Sequence, residues 1–251
     1  MKYMKKYSHN NSVQIFGVNI TFLTYEELLE IWFHNSTKSI ASVNQHFLNL
    51  AYNDRNFREQ LNRFDLVFPD GIGVRLARRL CYYGKVQSER TTFPDLLNRV
   101  FLKSDFQSET YYFFGATTEV IRKAVINITK QYPKVKIVGY HNGHTFDNEK
   151  LILEINNLQP RFLLVGLGGI VQEDWIMNNR TKLNIEKIIA IGGAFRVFAN
   201  DRKRGPLLFR RLGLEWLIRL FTEPQNVWKR YLIGIPLFIF RIIKEKFKQK
   251  K

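Results

Sequence analysis

Residues 162–174 read Phe-Leu-Leu-Val-Gly-Leu-Gly-Gly-Ile-Val-Gln-Glu-Asp, an unbroken apolar run that breaks at three glycines and passes into a polar pair. This is the pattern of a buried parallel strand that turns, without room for side chains, into a helix expected to begin near Gln172. Such a turn makes a site. Glycine lets a ligand approach the backbone, and the free N–H groups of a helix start carry partial positive charge that suits phosphate or a developing oxyanion.

The rest of the chain supplies companions for that strand. Short apolar runs over 14–20, 40–43, 66–68, 111–114, 136–140, 162–167 and 187–191 are predicted strands. Between them lie amphipathic stretches such as 25–33, 47–61, 118–132 and 150–158, with apolar residues three and four apart. Strand and helix in alternation predict an α/β fold, a mostly parallel sheet covered by helices on both faces. In such sheets ligands bind beyond the carboxyl ends of the strands. The polar residues of interest sit there: Ser42 and Asn44, Asp70-Gly71, Gly115, and the turn around Gly168. Arg90 and Asp95 could reach the same rim from a loop. The expected division is a catalytic core over 1–195 and an appendage over 196–251.

At 251 residues and 45% apolar content the chain has ample material for such a core. Cys81 is the single cysteine, which excludes an internal disulfide framework and a cysteine-based zinc site and points to a reducing, cytosolic compartment. The N-terminal residues are basic without a signal-length apolar core, so no secretion is expected. Net charge is +17, and residues 196–251 carry 15 Lys and Arg against 4 Asp and Glu, or +11 of it. A basic tail of this kind implies an anionic partner.

That tail opens with the basic turn Arg-Val-Phe-Ala-Asn-Asp-Arg-Lys-Arg-Gly-Pro and continues as predicted helices over 212–221 and 227–248, the second interrupted by Pro236. Its continuous apolar stretch, 231–240, is half of the ~20 residues that a membrane span requires. With Lys and Arg on both sides and Trp228 and Tyr231 at its edge, it suits an anionic membrane surface. Charges interleaved with Trp, Leu, Ile and Phe do not form a groove-tracking face, so no nucleic acid is expected. Nor is a dinucleotide: Gly166-x-Gly168-Gly169 does not fit the G-x-G-x-x-G fingerprint.

Candidate chemical residues each have two readings. Asp70, between Pro69 and Gly71 at a strand end, is either a partly desolvated general base or a cap for a helix over 72–80. Gln172 and Glu173 are either contacts for a sugar or diphosphate or ordinary first-turn residues, and Glu173 is a second candidate base. His9, His34, His46, His141 and His144 show no metal-ligand spacing with carboxylates. There is no Asp-x-Asp to hold a divalent metal against a diphosphate, so another positive charge has to stabilise a leaving group, and the tail has plenty.

Taken together, the stretches resemble the WecG/TagA/CpsF family, glycosyltransferase family 26. The resemblance rests on Ser42-Val43-Asn44 (usually Thr-x-Asn in the family), Asp65 through Gly73, Glu89-Arg90-Thr91-Thr92 with Asp95, Phe114-Gly115-Ala116, and Val165 through Gly168 with Gln172-Glu173-x-Trp175. It continues through Gly192-Gly193-Ala194-Phe195, Arg204-Gly205-Pro206, and Gly213-Leu214-Glu215-Trp216-Leu217-x-Arg219-Leu220 with Glu223-Pro224. The resemblance implies an inverting transferase that moves a sugar, typically N-acetylmannosamine or its uronic acid, from a UDP-sugar donor onto a polyprenyl-diphosphate-linked acceptor. It implies a peripheral enzyme at the inner face of the bacterial membrane, with no metal cofactor and a basic C-terminal appendage that docks on the membrane and completes the site. A homo-oligomer stays open. Carried over, Asp70 is the base, Ser42 the hydroxyl beside it, and Arg90 and Gln172 substrate contacts. Asn44, Asp95, Gly168 and Glu173 fall in the same motifs and join the substrate contacts, and Arg219 reaches the diphosphate.

Three departures bear on this. Arg196 stands where the family usually has Asp, Phe93-Pro94 replaces a Gly-Ser pair, and Gln225-Asn226 with Lys229 replace frequent arginines, which implies diphosphate binding by that turn that is either weaker or shifted to Arg230. They leave glucose as an alternative sugar and a non-catalytic membrane-bound scaffold as an alternative role.

Overall fold

A computed structural model describes residues 11–81 and 90–248 of the chain. The basic N-terminal stretch with His9, and Glu89 of the Glu-Arg-Thr-Thr motif, lie outside the described residues.

The first predicted strand, 14–20, is a hairpin: β1 (Ser12–Ile15) pairs antiparallel with β2 (Val18–Thr21). The two turn residues, Phe16 and Gly17, both have positive φ, 52° and 78°, as a two-residue hairpin turn of matching twist requires. Phe16 is an unusual residue for such a turn, and its ring packs edge-on against Tyr52 and Phe238 at 5.1 and 5.7 Å.

The other strands form one sheet. β3 (Ser39–Val43), β4 (Leu66–Pro69), β5 (Thr110–Gly115), β6 (Lys136–His141), β7 (Phe162–Gly166) and β8 (Lys187–Ala190) lie in the order β4-β3-β8-β7-β5-β6, every pair parallel. Alternate side chains enter two separate cores. Tyr111, Phe113, Phe162, Leu164 and Ile189 face one side, and Tyr112, Phe114, Leu163, Val165 and Ile188 the other. Because both faces are buried, these strands read as continuous apolar runs.

Helices α1 (Tyr25–His34), α2 (Gln45–Asn53), α3 (Arg55–Asn62) and α4 (Ile72–Cys81) accompany the first strands. α5 (Phe93–Gln107), α6 (Thr118–Gln131), α7 (Asn148–Leu158) and α8 (Gly169–Asn179) follow. The single helix expected over 47–61 is two, because the Asp54 side chain accepts from the N–H groups of Asn56 and Phe57 and restarts the helix. α8 begins at Gly169, three residues ahead of the expected start, which places Gln172 and Glu173 one turn inside it.

After β8 come α9 (Ala194–Phe198), α10 (Leu207–Leu212), α11 (Glu215–Thr222) and α12 (Pro224–Trp228). The helix expected over 212–221 is broken at Gly213, whose φ of 78° closes α10. A π turn, Lys229–Ile233, leads into α13 (Gly234–Lys248). The wide turn comes just ahead of Pro236, where a proline ring would otherwise crowd the carbonyl four residues back. No helix among the described residues is long and apolar enough to cross a membrane. α13 instead packs its Phe238 and Ile242 into the core. Asn49 on α2 donates to the Gly234 carbonyl at 2.7 Å, and Arg241 donates to the Asn49 carbonyl at 3.0 Å while lying over the Tyr52 ring.

Candidate active site

Two cavities open at the carboxyl end of the sheet, of about 420 and 280 Å³, and they share a wall made of Asn44, Asp70, Thr92, Glu215, Arg219 and Arg230. The larger is lined by the glycine turns after β7 and β8. The smaller runs between α4 and α13.

Asp70 follows β4 directly. Its N–H donates to the Val43 carbonyl at 2.8 Å, Gly71 N–H to the Thr91 carbonyl at 3.0 Å, and the Thr91 hydroxyl to the Pro69 carbonyl at 2.7 Å, so the turn is fixed from three sides. Burial pushes the Asp70 carboxyl up to about 6, the Glu215 carboxylate adds to this, and the Phe93 N–H, Arg230 and Arg90 oppose it. A carboxylate poised near neutrality suits proton abstraction. Ser42, in the neighbouring strand, lines the larger cavity. Asn44 caps α2: its Oδ1 accepts from the N–H groups of His46 and Phe47 at 3.0 and 3.2 Å, which leaves Nδ2 to the cavities. Burial, and secondarily Arg230, push His46 down to about 4, so its ring is neutral at physiological pH.

The glycine turn forms as the apolar run implied. Gly168, with φ of 77°, is the N-cap of α8 and offers no side chain. Gly115, at φ of 137°, lies so close to the Gly166 carbonyl that a Cβ would stand 2.4 Å from it, so these two strand ends meet only as glycines. Gln172 ties this turn to the next one. Its Oε1 accepts from the Gly192 N–H at 2.9 Å and its Nε2 donates to Glu173 at 2.7 Å, leaving one amide hydrogen for the larger cavity.

Two of the expected contacts line neither cavity. Glu173 is fully buried and lines neither cavity. It sits about 100° around α8 from Gln172, and burial pushes its carboxyl up to about 8 against the hydrogen bond from Gln172. Asp95 also lines neither cavity, because it grips the tail: Arg204 donates to it at 2.6 and 2.9 Å and Arg210 at 2.7 Å. Burial raises its pKa, but the hydrogen bonds from Arg204 and Thr92 and the charges of Arg204 and Arg210 outweigh it and hold the carboxyl well below the usual range. Arg90 lines the smaller cavity, 3.4 Å from Glu215.

Arg219 and Arg230 line both cavities, and both guanidinium groups lie within 6 Å of the Tyr231 ring centroid, at 5.9 and 5.6 Å. The buried Nε of each has no hydrogen-bond partner. Burial, and after it the neighbouring charge of Arg219, push Arg230 down while Tyr231 and Asp70 oppose this. Two cations with donors to spare, facing a rim, make a place for a polyanion. Lys229 lines neither cavity. Arg196 lines the larger one, but its charge is met by Asp201 at 2.5 Å and Glu223 at 3.2 Å.

Sequence reasoning missed Glu215 and Thr92, which belong to the shared wall. Glu215 holds Arg204 at 2.8 Å and Arg90 at 3.4 Å; an acid in the first turn of a helix otherwise reads as a dipole partner. Among the described residues, no three His, Cys, Asp or Glu side chains come together as a metal site would need.

The sequence profile of the WecG/TagA/CpsF glycosyl transferase family matches residues 13–251. Relatives from Staphylococcus aureus strains NCTC 8325 / PS 47, COL and MRSA252 are each 28% identical over 253 aligned residues, covering 97% of this chain and 97% of theirs. Each is named an N-acetylglucosaminyldiphosphoundecaprenol N-acetyl-beta-D-mannosaminyltransferase. With the profile spanning the sheet, its rim and the tail that closes over them, the chain belongs to the WecG/TagA/CpsF family and is a glycosyltransferase.

Proposed function

We propose that the protein transfers N-acetylmannosamine from UDP to an N-acetylglucosamine carried on a polyprenyl diphosphate, with inversion, as a step in building a cell-surface polysaccharide. The observation that carries this is the position of Asp70 on the wall common to two cavities. A base there serves a nucleophile from one side and an electrophile from the other.

The donor occupies the larger cavity, its diphosphate by the backbone of Gly168 and Gly169 at the start of α8 and its sugar within reach of Gln172. The acceptor sugar enters from the smaller one. Asp70 takes the proton of the acceptor hydroxyl as its oxygen bonds to the anomeric carbon. The bond from that carbon to the UDP oxygen breaks, and the electron pair departs on the diphosphate. Arg219 and Arg230, open to both cavities, meet the charge that develops on the leaving group and the diphosphate that links acceptor sugar to lipid. The name shared by the relatives supports both the sugar and the acceptor. Glucose is the second reading: Phe93 and Pro94, one of the departures from the family pattern, line the donor cavity and bear on which sugar it accepts.

The tail supports a peripheral position on the inner face of the membrane. It exposes Leu208, Phe221, Leu232, Phe240 and Phe247 among the lysines and arginines of a strongly basic segment.

Transfer from labelled UDP-sugars onto a short-chain polyprenyl-diphosphate-GlcNAc, with EDTA present, is the test. Product is expected with UDP-N-acetylmannosamine, and Asp70→Asn is expected to lose at least about a hundredfold in rate with thermal unfolding unchanged. An Asp70→Asn enzyme of normal rate would remove the base assignment, and a folded protein inert toward every donor would favour the scaffold role.

A further inference from the structure

The smaller cavity is more apolar than sugar transfer alone requires. From Asp70 and the arginine pair it runs between α4 and α13, where Leu76 and Leu80 face Ile235 and Ile239, with Trp216 beside them. Each pair is spaced by four residues, so each makes one stripe along its helix. Leu76, Leu80 and Ile239 are 46%, 49% and 48% exposed, an apolar groove left open to solvent.

We propose that this groove binds the first isoprene units of the acceptor, so that the enzyme reads the hydrocarbon chain as well as the sugar. The proposal rests on the acceptor assignment above and extends it to a second element of the same ligand. Three observations select the occupant. The groove is bipolar, cationic where Arg219 and Arg230 stand and apolar beyond, which complements an anionic head on a hydrocarbon tail. Its volume of about 280 Å³ is at the lower bound for small-molecule pockets, too small for a protein helix and sufficient for a segment of a slender chain. Past Ile239 the apolar surface continues on α13 with Phe240, Ile243 and Phe247, all exposed, so the remaining chain has a path toward a bilayer.

The test separates tail recognition from catalysis. Equilibrium binding of farnesyl diphosphate and dimethylallyl diphosphate to the full chain, below micelle-forming concentrations and without donor, should show the longer tail binding at least about tenfold more tightly, because the two heads are identical and only buried hydrocarbon differs. The double variant Leu76→Gln, Ile239→Gln should bring that ratio toward one. The ratio is taken within one protein sample, so it does not depend on the folded fraction, and both sites are surface positions. Leu76→Trp, which fills the groove without a polar group, should do the same. Equal binding of the two tails by the unaltered protein would overturn the proposal, as would a ratio the variants leave intact. Competition by a short-chain phosphatidylglycerol as strong as that by farnesyl diphosphate would replace a polyprenyl subsite with a general acyl one. Tail-dependent binding without sugar transfer would leave the groove standing and sink the proposed reaction; transfer independent of tail length would do the reverse.

Discussion

Asp70 is tuned by neighbours that come from three parts of the chain: a backbone N–H at Phe93, guanidinium groups at Arg90 and Arg230, and the Glu215 carboxylate. The proposed base works ionised, so kcat/KM should rise with pH on a limb centred near 6. Glu215→Gln should move that limb to lower pH. It removes a like charge, and it releases Arg90 from its 3.4 Å ion pair, so both effects favour the ionised form. A limb that stays in place in Glu215→Gln would show that another group limits the rate. The rim positions of Asp70, Ser42 and Asn44 were legible in the sequence because parallel strands deliver their carboxyl-terminal residues to one rim whatever the loops do, and that of Gln172 because it follows the glycine turn after β7 into the first turn of α8. That Glu173 and Asp95 lie off the two cavities was not legible, because proximity in sequence says nothing about which way a helix side chain points or which partner in a distant segment claims it.

At the scale of elements, the tail is fastened to the core by charge as well as by packing. Asp95 on α5 binds Arg204 and Arg210, and Glu215 on α11 binds Arg204 and Arg90. All are partly buried, so the cluster is less screened than an exposed pair. Asp95→Ala leaves two guanidinium groups short of a carboxylate and should lower stability by about 1–3 kcal/mol, seen as a lower Tm and faster proteolysis over residues 203–213. The acceptor KM should rise more than the donor KM, because the loosened helices carry Arg219. The strands of the main sheet were readable from apolar runs alone. The breaks were not: Phe16 stands where such a hairpin turn usually has Asn, Asp or Gly, Asp54 divides a continuous amphipathic pattern, and the π turn before Pro236 has no periodic signature. Nor did the pattern show that α13 would lend Phe238 and Ile242 to the core, since half-apolar helices look alike whether they meet protein or lipid.

The whole molecule has unlike ends. At the amino-terminal edge of the sheet the charges are paired: Arg161 lies between Glu109 and Glu186, and buried Lys187 donates to the Thr37 carbonyl at 3.0 Å. At the opposite edge Arg219 and Arg230 face open cavities and the tail exposes large apolar side chains. Anionic vesicles should therefore bind the protein, more weakly as salt screens the basic surface. Phe240→Glu with Phe247→Glu should weaken binding at least about tenfold while Tm stays within about 2 °C, as expected of surface positions; unchanged co-sedimentation would move the contact elsewhere. β8, the last strand among the described residues, stands between β3 and β7 and is what joins β4-β3 to β7-β5-β6. A ribosome making this protein thus releases two half-sheets with bare edges and withholds the piece that unites them until about three quarters of the chain is out. The nascent polypeptide has to keep those edges from pairing with other chains, and the wall shared by the two cavities acquires Glu215, Arg219 and Arg230 only after that union, so a fragment that ends before them lacks part of the site.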